Sequence, residues 1–213
     1  MNTQWHSEVL PSVSTEILSN LYKTVPLFKF YLAGGTGLAL LLGHRFSQDF
    51  DFFSMELFNE EILLQKLKGQ RNLSDISKDE HTLHFILKGI KISLLGFPYP
   101  LLFPLKEFEL NSGASINVAD ERDIACMKIS AISGRGTKRD FIDLYVASRI
   151  FNLSDLVKLF LKKFSLTPYN NVHILKSLTY FADAEAEPMP DMLIPLSWDD
   201  VKKFFTSEIP QLI

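Results

Sequence analysis

Cysteine is nearly absent from this 213-residue sequence, Cys126 being the only one. That excludes a disulfide framework and any multi-cysteine zinc site, and it fits a reducing compartment. Tryptophan is scarce, at 2 residues against 18 phenylalanines. There is no basic excess: 22 Lys and Arg against 25 Asp and Glu leave a net charge of −3. No global field therefore draws the chain to nucleic acid or to an anionic membrane. Long apolar runs are missing too. The longest near-apolar stretch, Tyr31 to Gly43, has 13 residues and four glycines, whereas a bilayer span needs roughly 20 residues. Pro98, Pro100 and Pro104 break the next one. The start, Met1 to Glu8, has no basic segment followed by an apolar one, so no signal peptide is expected. With 46% apolar residues, 10 glycines and 10 prolines, the chain is neither disordered nor of low complexity. A cytoplasmic protein with no membrane partner is expected.

The length suggests one full domain with an extension, or two small ones. Apolar spacing predicts a helix at 14–22, a strand at 28–32 running into Gly34-Gly35-Thr36, and a helix at 37–42 ended by Gly43. A strand at 48–53, a helix at 60–68 and a hairpin of strands 81–87 and 90–97 around Lys88-Gly89 follow. After Asn117 the texture turns helical, with helices near 120–132, 138–150, 153–164, 171–181 and 197–205, the last with a capping box on Ser197 and Asp200. The fold class is α+β: a mixed β-sheet flanked by helices over 1–115, then a helical C-terminal region, 116–213, whose residues 118–150 contribute to the site.

The chemistry lies between Tyr31 and Phe53. Alternate residues of a strand share a face, so Asp49 and Asp51 point together while Phe50 and Phe52 turn to the other side. Paired carboxylates repel unless a cation lies between them, and Mg²⁺ is the usual hard, oxygen-preferring choice. Alone, Asp-x-Asp is more often a charged edge strand that discourages aggregation. Gly34-Gly35-Thr36, at a strand-to-helix junction, leaves amide N–H groups free for phosphate at a helix start. The interval from Gly35 to Asp49 accommodates two helical turns and a return strand, bringing cradle and carboxylates together. His44, Arg45 and Ser47 stand just before the carboxylates, within reach of phosphate oxygens.

The combination resembles the signature of the polymerase-β-like nucleotidyltransferases. More closely, Tyr31-Leu32-Ala33-Gly34-Gly35-Thr36-Gly37-Leu38-Ala39-Leu40 with His44-Arg45-Phe46-Ser47-Gln48-Asp49-Phe50-Asp51 is similar to the AbiEii/AbiGii toxin family. Lys128, Gly134-Arg135-Gly136 and Lys138-Arg139-Asp140-Phe141-Ile142-Asp143 match that family's downstream Lys…Arg…Asp-x-x-Asp pattern. The resemblance implies a nucleotidyltransferase-like sheet and transfer of a nucleoside monophosphate from an NTP to an acceptor, with Mg²⁺ or Mn²⁺. The acceptor would be an RNA, such as tRNA, or a protein. It also implies a toxin of a type IV toxin–antitoxin-like system, with an antitoxin partner. On the matched positions, Asp49 and Asp51 would hold metal. Gly34, Gly35, Thr36, Arg45, Ser47, Lys128 and Arg135 would bind nucleotide. The implied catalytic set is Asp49, Asp51, Lys128 and Asp140. Asp140 and Asp143 share a helix face and would bind metal, orient Lys128, or anchor the helix through Arg135 and Arg139.

One position departs from the superfamily pattern: the strand 90–95 offers Ser93 where a third carboxylate is expected, and serine is a poor metal ligand. The alternative is a catalytically inactive nucleotide- or partner-binding protein on the same fold; a phosphotransferase is a less specific third reading. Placing Asp140 or Asp143 near Asp49 and Asp51 favours the enzyme, and pointing both into salt bridges favours the binder. His81 and His84, three apart on a predicted strand, make a poor metal pair. Cys126 is read as a buried spectator. Arg135 to Arg139, three cations in five residues, reads first as a solvated loop.

Overall fold

A computed structural model describes residues 3–212. Met1, Asn2 and Ile213, which bound the expected regions and the leader argument, lie outside the described residues. Seven strands form one mixed sheet: β1 (Tyr31–Leu32), β2 (Phe50–Ser54), β3 (Leu73–Asp79), β4 (Thr82–Leu87), β5 (Ile90–Gly96), β6 (Lys106–Glu109) and β7 (Ser115–Val118), in the order β3-β4-β5-β2-β1-β7-β6. Helices α1 (Ser14–Thr24), α2 (Gly34–Leu42) and α3 (Glu60–Leu67) alternate with the first strands. Helices α4 (Glu121–Arg135), α5 (Lys138–Ser148), α6 (Leu153–Lys163), α7 (Asn171–Ser177), α8 (Ala182–Glu185) and α9 (Trp198–Glu208) follow. The chain is α+β with a mixed sheet, as the sequence predicts.

The two faces of the sheet differ. Phe50, Phe52, Leu83, Phe85, Ile92 and Leu94 are fully or almost fully buried, in one cluster with Leu18 and Leu21 of α1 and Leu38 and Leu40 of α2. Alternation then sends Asp51, Ser93 and His84 to the opposite face. A second cluster joins α4 through α9 around Ile129, Phe141, Phe160 and Phe205. Helix α4 belongs to both, Ile124 in the first and Ala125 in the second. The buried pair Lys163–Asp123, at 2.7 Å, ties α6 to α4, and the same ammonium donates to the carbonyl of Pro100. Cys126 is buried, as read from the sequence, and burial pushes its thiol up to about 12.

Several boundaries differ from the sequence-based ones. Residues 27–29 form a 3₁₀ turn closed by the Lys29 N–H on the Pro26 carbonyl, so only Tyr31 and Leu32 join the ladder. Helix α2 begins three residues early, because the Gly37 N–H already reaches the Ala33 carbonyl. The strand expected from residue 48 begins at Phe50, since the Asp49 carbonyl accepts from the Thr36 hydroxyl instead of a strand neighbour. Asp49 therefore stands just ahead of the strand that holds Asp51. His81 lies in a turn at φ 55°, outside the strand expected to contain it. The helix expected to reach residue 181 stops at Ser177.

Candidate active site

Ala33 closes β1 by donating to the Asp51 carbonyl, and the chain turns at once into α2. Gly34 makes that turn at φ 62°, a region that costs any side chain. A Cβ on Gly34 would also come within 2.9 Å of the Asp51 carboxylate. Asp51 thus lies directly against the backbone at the start of a helix that no side chain caps. Gly35 serves differently: a Cβ there would strike the Arg45 guanidinium, which rests on α2. Thr36 is buried, and its hydroxyl bonds Ser47 Oγ (2.7 Å) and the Asp49 carbonyl. It fastens residues 47–49 to the first turn of α2.

Among the described residues the side-chain carboxylates of Asp49 and Asp51 take part in no hydrogen bond, and none of the site's ion pairs includes them. The remaining charges are tightly tied. Asp143, fully buried, accepts from Arg45 Nε (2.7 Å) and Nη2 (2.9 Å), from His44 Nε2 (2.8 Å), and lies 2.7 Å from Lys128 Nζ. Burial alone would raise its carboxyl; the charges of Lys128 and Arg45 and the bonds from His44 and Arg45 outweigh this and hold it well below the usual range. Burial works against the Lys128 ammonium as well, yet Asp143 and Asp140 hold it above its ordinary value. Lys128 Nζ also reaches Asp140 Oδ1 at 2.8 Å. Two of its three protons are so engaged, which leaves the third for a ligand. The other Asp140 oxygen accepts from the N–H and hydroxyl of Thr137, completing a capping box for α5.

These groups surround a cleft of about 210 Å³ containing Asp49, Asp51, Lys128, Asp140, Ser47 and Arg139. Gly35, Thr36 and Arg45 line it too. A second cavity, about 370 Å³, opens from the same Arg45, Ser47, Asp49 and Arg139 and is walled by the loop 187–191. Lys138 anchors that loop, donating from its buried ammonium to the carbonyls of Glu185 and Glu187. Arg135 lines neither cavity; it ends α4 and is exposed. Arg139, in the first turn of α5, lines both. The basic run therefore divides into an exposed, a buried and a cleft residue. Asp140 and Asp143 pair with Lys128 and with Arg45 and Lys128, not with Arg135 and Arg139. Of the two, Asp140 stands in the cleft beside Asp49 and Asp51, while Asp143 is spent on buried salt bridges.

Register confirms that Ser93 on β5 lies beside Asp51 on β2, so no third acid faces the pair from that strand. Among the described residues no group of three or more His, Cys, Asp or Glu gathers in a metal-holding cluster.

The α+β fold is of the nucleotidyltransferase type. The structure resembles MenT4, a nucleotidyltransferase toxin from Mycobacterium tuberculosis, with a TM-score of 0.62 over 94% of this chain and 82% of that one at 17% identity. It also resembles a chain assigned as a nucleotidyltransferase from H. pylori (TM-score 0.50, 20% identity, 95% and 99% covered). In sequence, residues 17–91 match the family described as nucleotidyl transferase AbiEii toxin, type IV TA system. An uncharacterised Aquifex aeolicus protein, aq_aa25, is 42% identical over 194 residues, covering 86% of this chain and 88% of that one. The chain belongs to the AbiEii nucleotidyltransferase toxin family.

Proposed function

We propose that this protein transfers a nucleoside monophosphate from an NTP to a hydroxyl of an RNA, such as tRNA, or of a protein, and acts in the cytoplasm as a toxin restrained by an antitoxin. One observation carries the reading: two carboxylates without a partner among the described residues, Asp49 and Asp51, share a cleft with an uncapped helix start, a lysine proton and Arg139. Free carboxylates beside phosphate donors fit a Mg²⁺ or Mn²⁺ ion whose remaining ligands come from the triphosphate and water. When bound, that ion would neutralise triphosphate charge and favour ionisation of the acceptor hydroxyl. The chain's own residues supply the rest. The amides of Gly34 and Gly35 and the guanidinium of Arg139 would meet phosphate oxygens. Lys128, pinned by Asp140 and Asp143, offers a point charge whose position is set before the nucleotide arrives. Arg45 is held back from the ligand by its bidentate pairing with Asp143 and acts by supporting the cleft.

The test is incubation of the protein with Mg²⁺ and each α-labelled NTP, with total tRNA or cell lysate as acceptor. Label transfer is expected, and Asp49→Ala or Asp51→Ala is expected to lower it at least about a hundred-fold. A second reading, a nucleotide binder without turnover, draws on Ser93 beside Asp51. Tight NTP binding with no transfer to either acceptor would establish it in place of the first.

A further inference from the structure

The sheet face that carries Asp51 continues sideways. Register sets Asp51 beside Ser93, and Ser93 beside His84 on β4. Residues in register share a face, and neighbouring strands lie about 4.8 Å apart. Asp51, Ser93 and His84 therefore form one row across β2, β5 and β4, on the face turned away from the α1–α3 core. Four of the five histidines have a ring nitrogen engaged: His6 with Glu8, His44 with Asp143, His81 with the Phe58 carbonyl, His173 with the Ser133 carbonyl. His84 is the exception. Neither of its ring nitrogens has a hydrogen-bond partner among the described residues: Nδ1 is buried, as His44 Nδ1 also is, and the residue as a whole is partly buried. This imidazole stands two strands from Asp51, next to the strand that lacks the expected acid, and its other ring nitrogen, Nε2, is the one free to meet a ligand.

Resting on the transfer reading above, we propose that His84 receives the acceptor hydroxyl across Ser93 from Asp51 and takes its proton. In that step the acceptor oxygen forms a bond to the α-phosphorus, and the bond from that phosphorus to the bridging oxygen breaks. Pyrophosphate leaves with the electron pair, and the hydroxyl proton passes to a ring nitrogen of His84 and then to water. Imidazole is the side chain most often used for proton transfer of this kind. The acceptor thus approaches over the face of β5 and β4, while the triphosphate occupies the cleft against α2, α4 and α5.

His84→Asn and His84→Gln test the proposal in the full chain, with Asp51→Ala as the control for the reading itself. Labelled NTP binding, by equilibrium dialysis with Mn²⁺, is expected to stay within about twofold. Transfer to total tRNA or to lysate protein is expected to fall about 10²–10⁴-fold, and free imidazole is expected to restore part of it in His84→Ala. In the wild-type protein, the His84 ring resonance is expected to shift when the labelled acceptor fraction is added. Three results overturn the proposal while leaving the transfer reading intact: variants that transfer at wild-type rate, loss of transfer that follows loss of NTP binding, or a ring resonance unmoved by acceptor. A wild-type protein that transfers nothing overturns both.

Discussion

Asp143 shows how one buried side chain can tie together the elements around a candidate site. It joins His44 and Arg45, from the end of α2, to Lys128 on α4 and to its own helix α5. Removing one partner from a buried charged cluster costs about 3–5 kcal/mol, so Asp143→Asn should lower stability by that order and release Lys128. The pH dependence has a definite sign. The native carboxyl ionises well below its unfolded value, so its stabilisation is present above about pH 4 and fades as pH falls further. Lys128 runs the other way: its native value is raised, so its contribution holds below about pH 10.4 and is lost above. Thermal unfolding from pH 2 to 11 should show a plateau between these limits, and Asp143→Asn should flatten the acid limb. Gly34 is the second decisive residue. Gly34→Ala puts a methyl group at φ 62° and against the Asp51 carboxylate. We expect a loss of about 1–2 kcal/mol in stability, with NTP labelling falling further than stability does; urea unfolding and labelling of one preparation separate the two.

At the scale of elements, the site is assembled by helix starts. Helix α2 presents its uncapped first turn, and α5 begins with the Thr137–Asp140 capping box, whose acid also holds Lys128. Thr137→Ala is expected to cost about 1 kcal/mol and to loosen Lys128, which would raise the KM for NTP more than it lowers stability. Steady-state labelling beside thermal melts checks this. Elements were unequally legible. Phe50 and Phe52 alternating with charge, and the Ser197–Asp200 box, announce a strand and a helix directly. Strand β3, by contrast, is nearly all exposed and bulged between Ser74 and Ser77, with Asp75 at φ 49°; its sequence carries no period-2 signal. Strands β6 and β7 have four residues each and owe their pairing to neighbours supplied by the sheet. Their sequences contain too little burial to declare them.

For the whole molecule, the question is what holds two apolar clusters in one arrangement. Helix α4 passes through both, and Lys163–Asp123 locks α6 onto it, with the Leu102 and Phe103 N–H groups completing the Asp123 shell. Aromatic contacts Tyr31–Phe53, Phe53–Phe97 and Phe97–Phe164 continue the join from β1 to the end of α6. Lys163→Met leaves a bare buried carboxylate and should cost about 3–5 kcal/mol. Adding Asp123→Leu should recover part of that loss, a non-additivity that urea unfolding of the two variants would reveal. Because Lys128 and Asp140 lie on α4 and α5 while Asp49 and Asp51 flank α2, weakening this join should also impair nucleotide binding.

The sequence by itself determined the class of fold and the segment that holds the candidate site. Local signals suffice for both: glycines at a strand-to-helix turn, carboxylates alternating with buried phenylalanines, and apolar spacing that changes period near residue 117. Tertiary structure alone decided which charges are free. Whether Arg45, Lys138 or Asp143 faces a ligand or a partner depends on residues tens of positions away, as Asp143 with His44 and Lys138 with Glu187 show. The same holds for Arg139 entering the cleft in place of Arg135, and for His84 standing two strands from Asp51. Burial and pairing are non-local quantities, and they are what separates a structural charge from a working one.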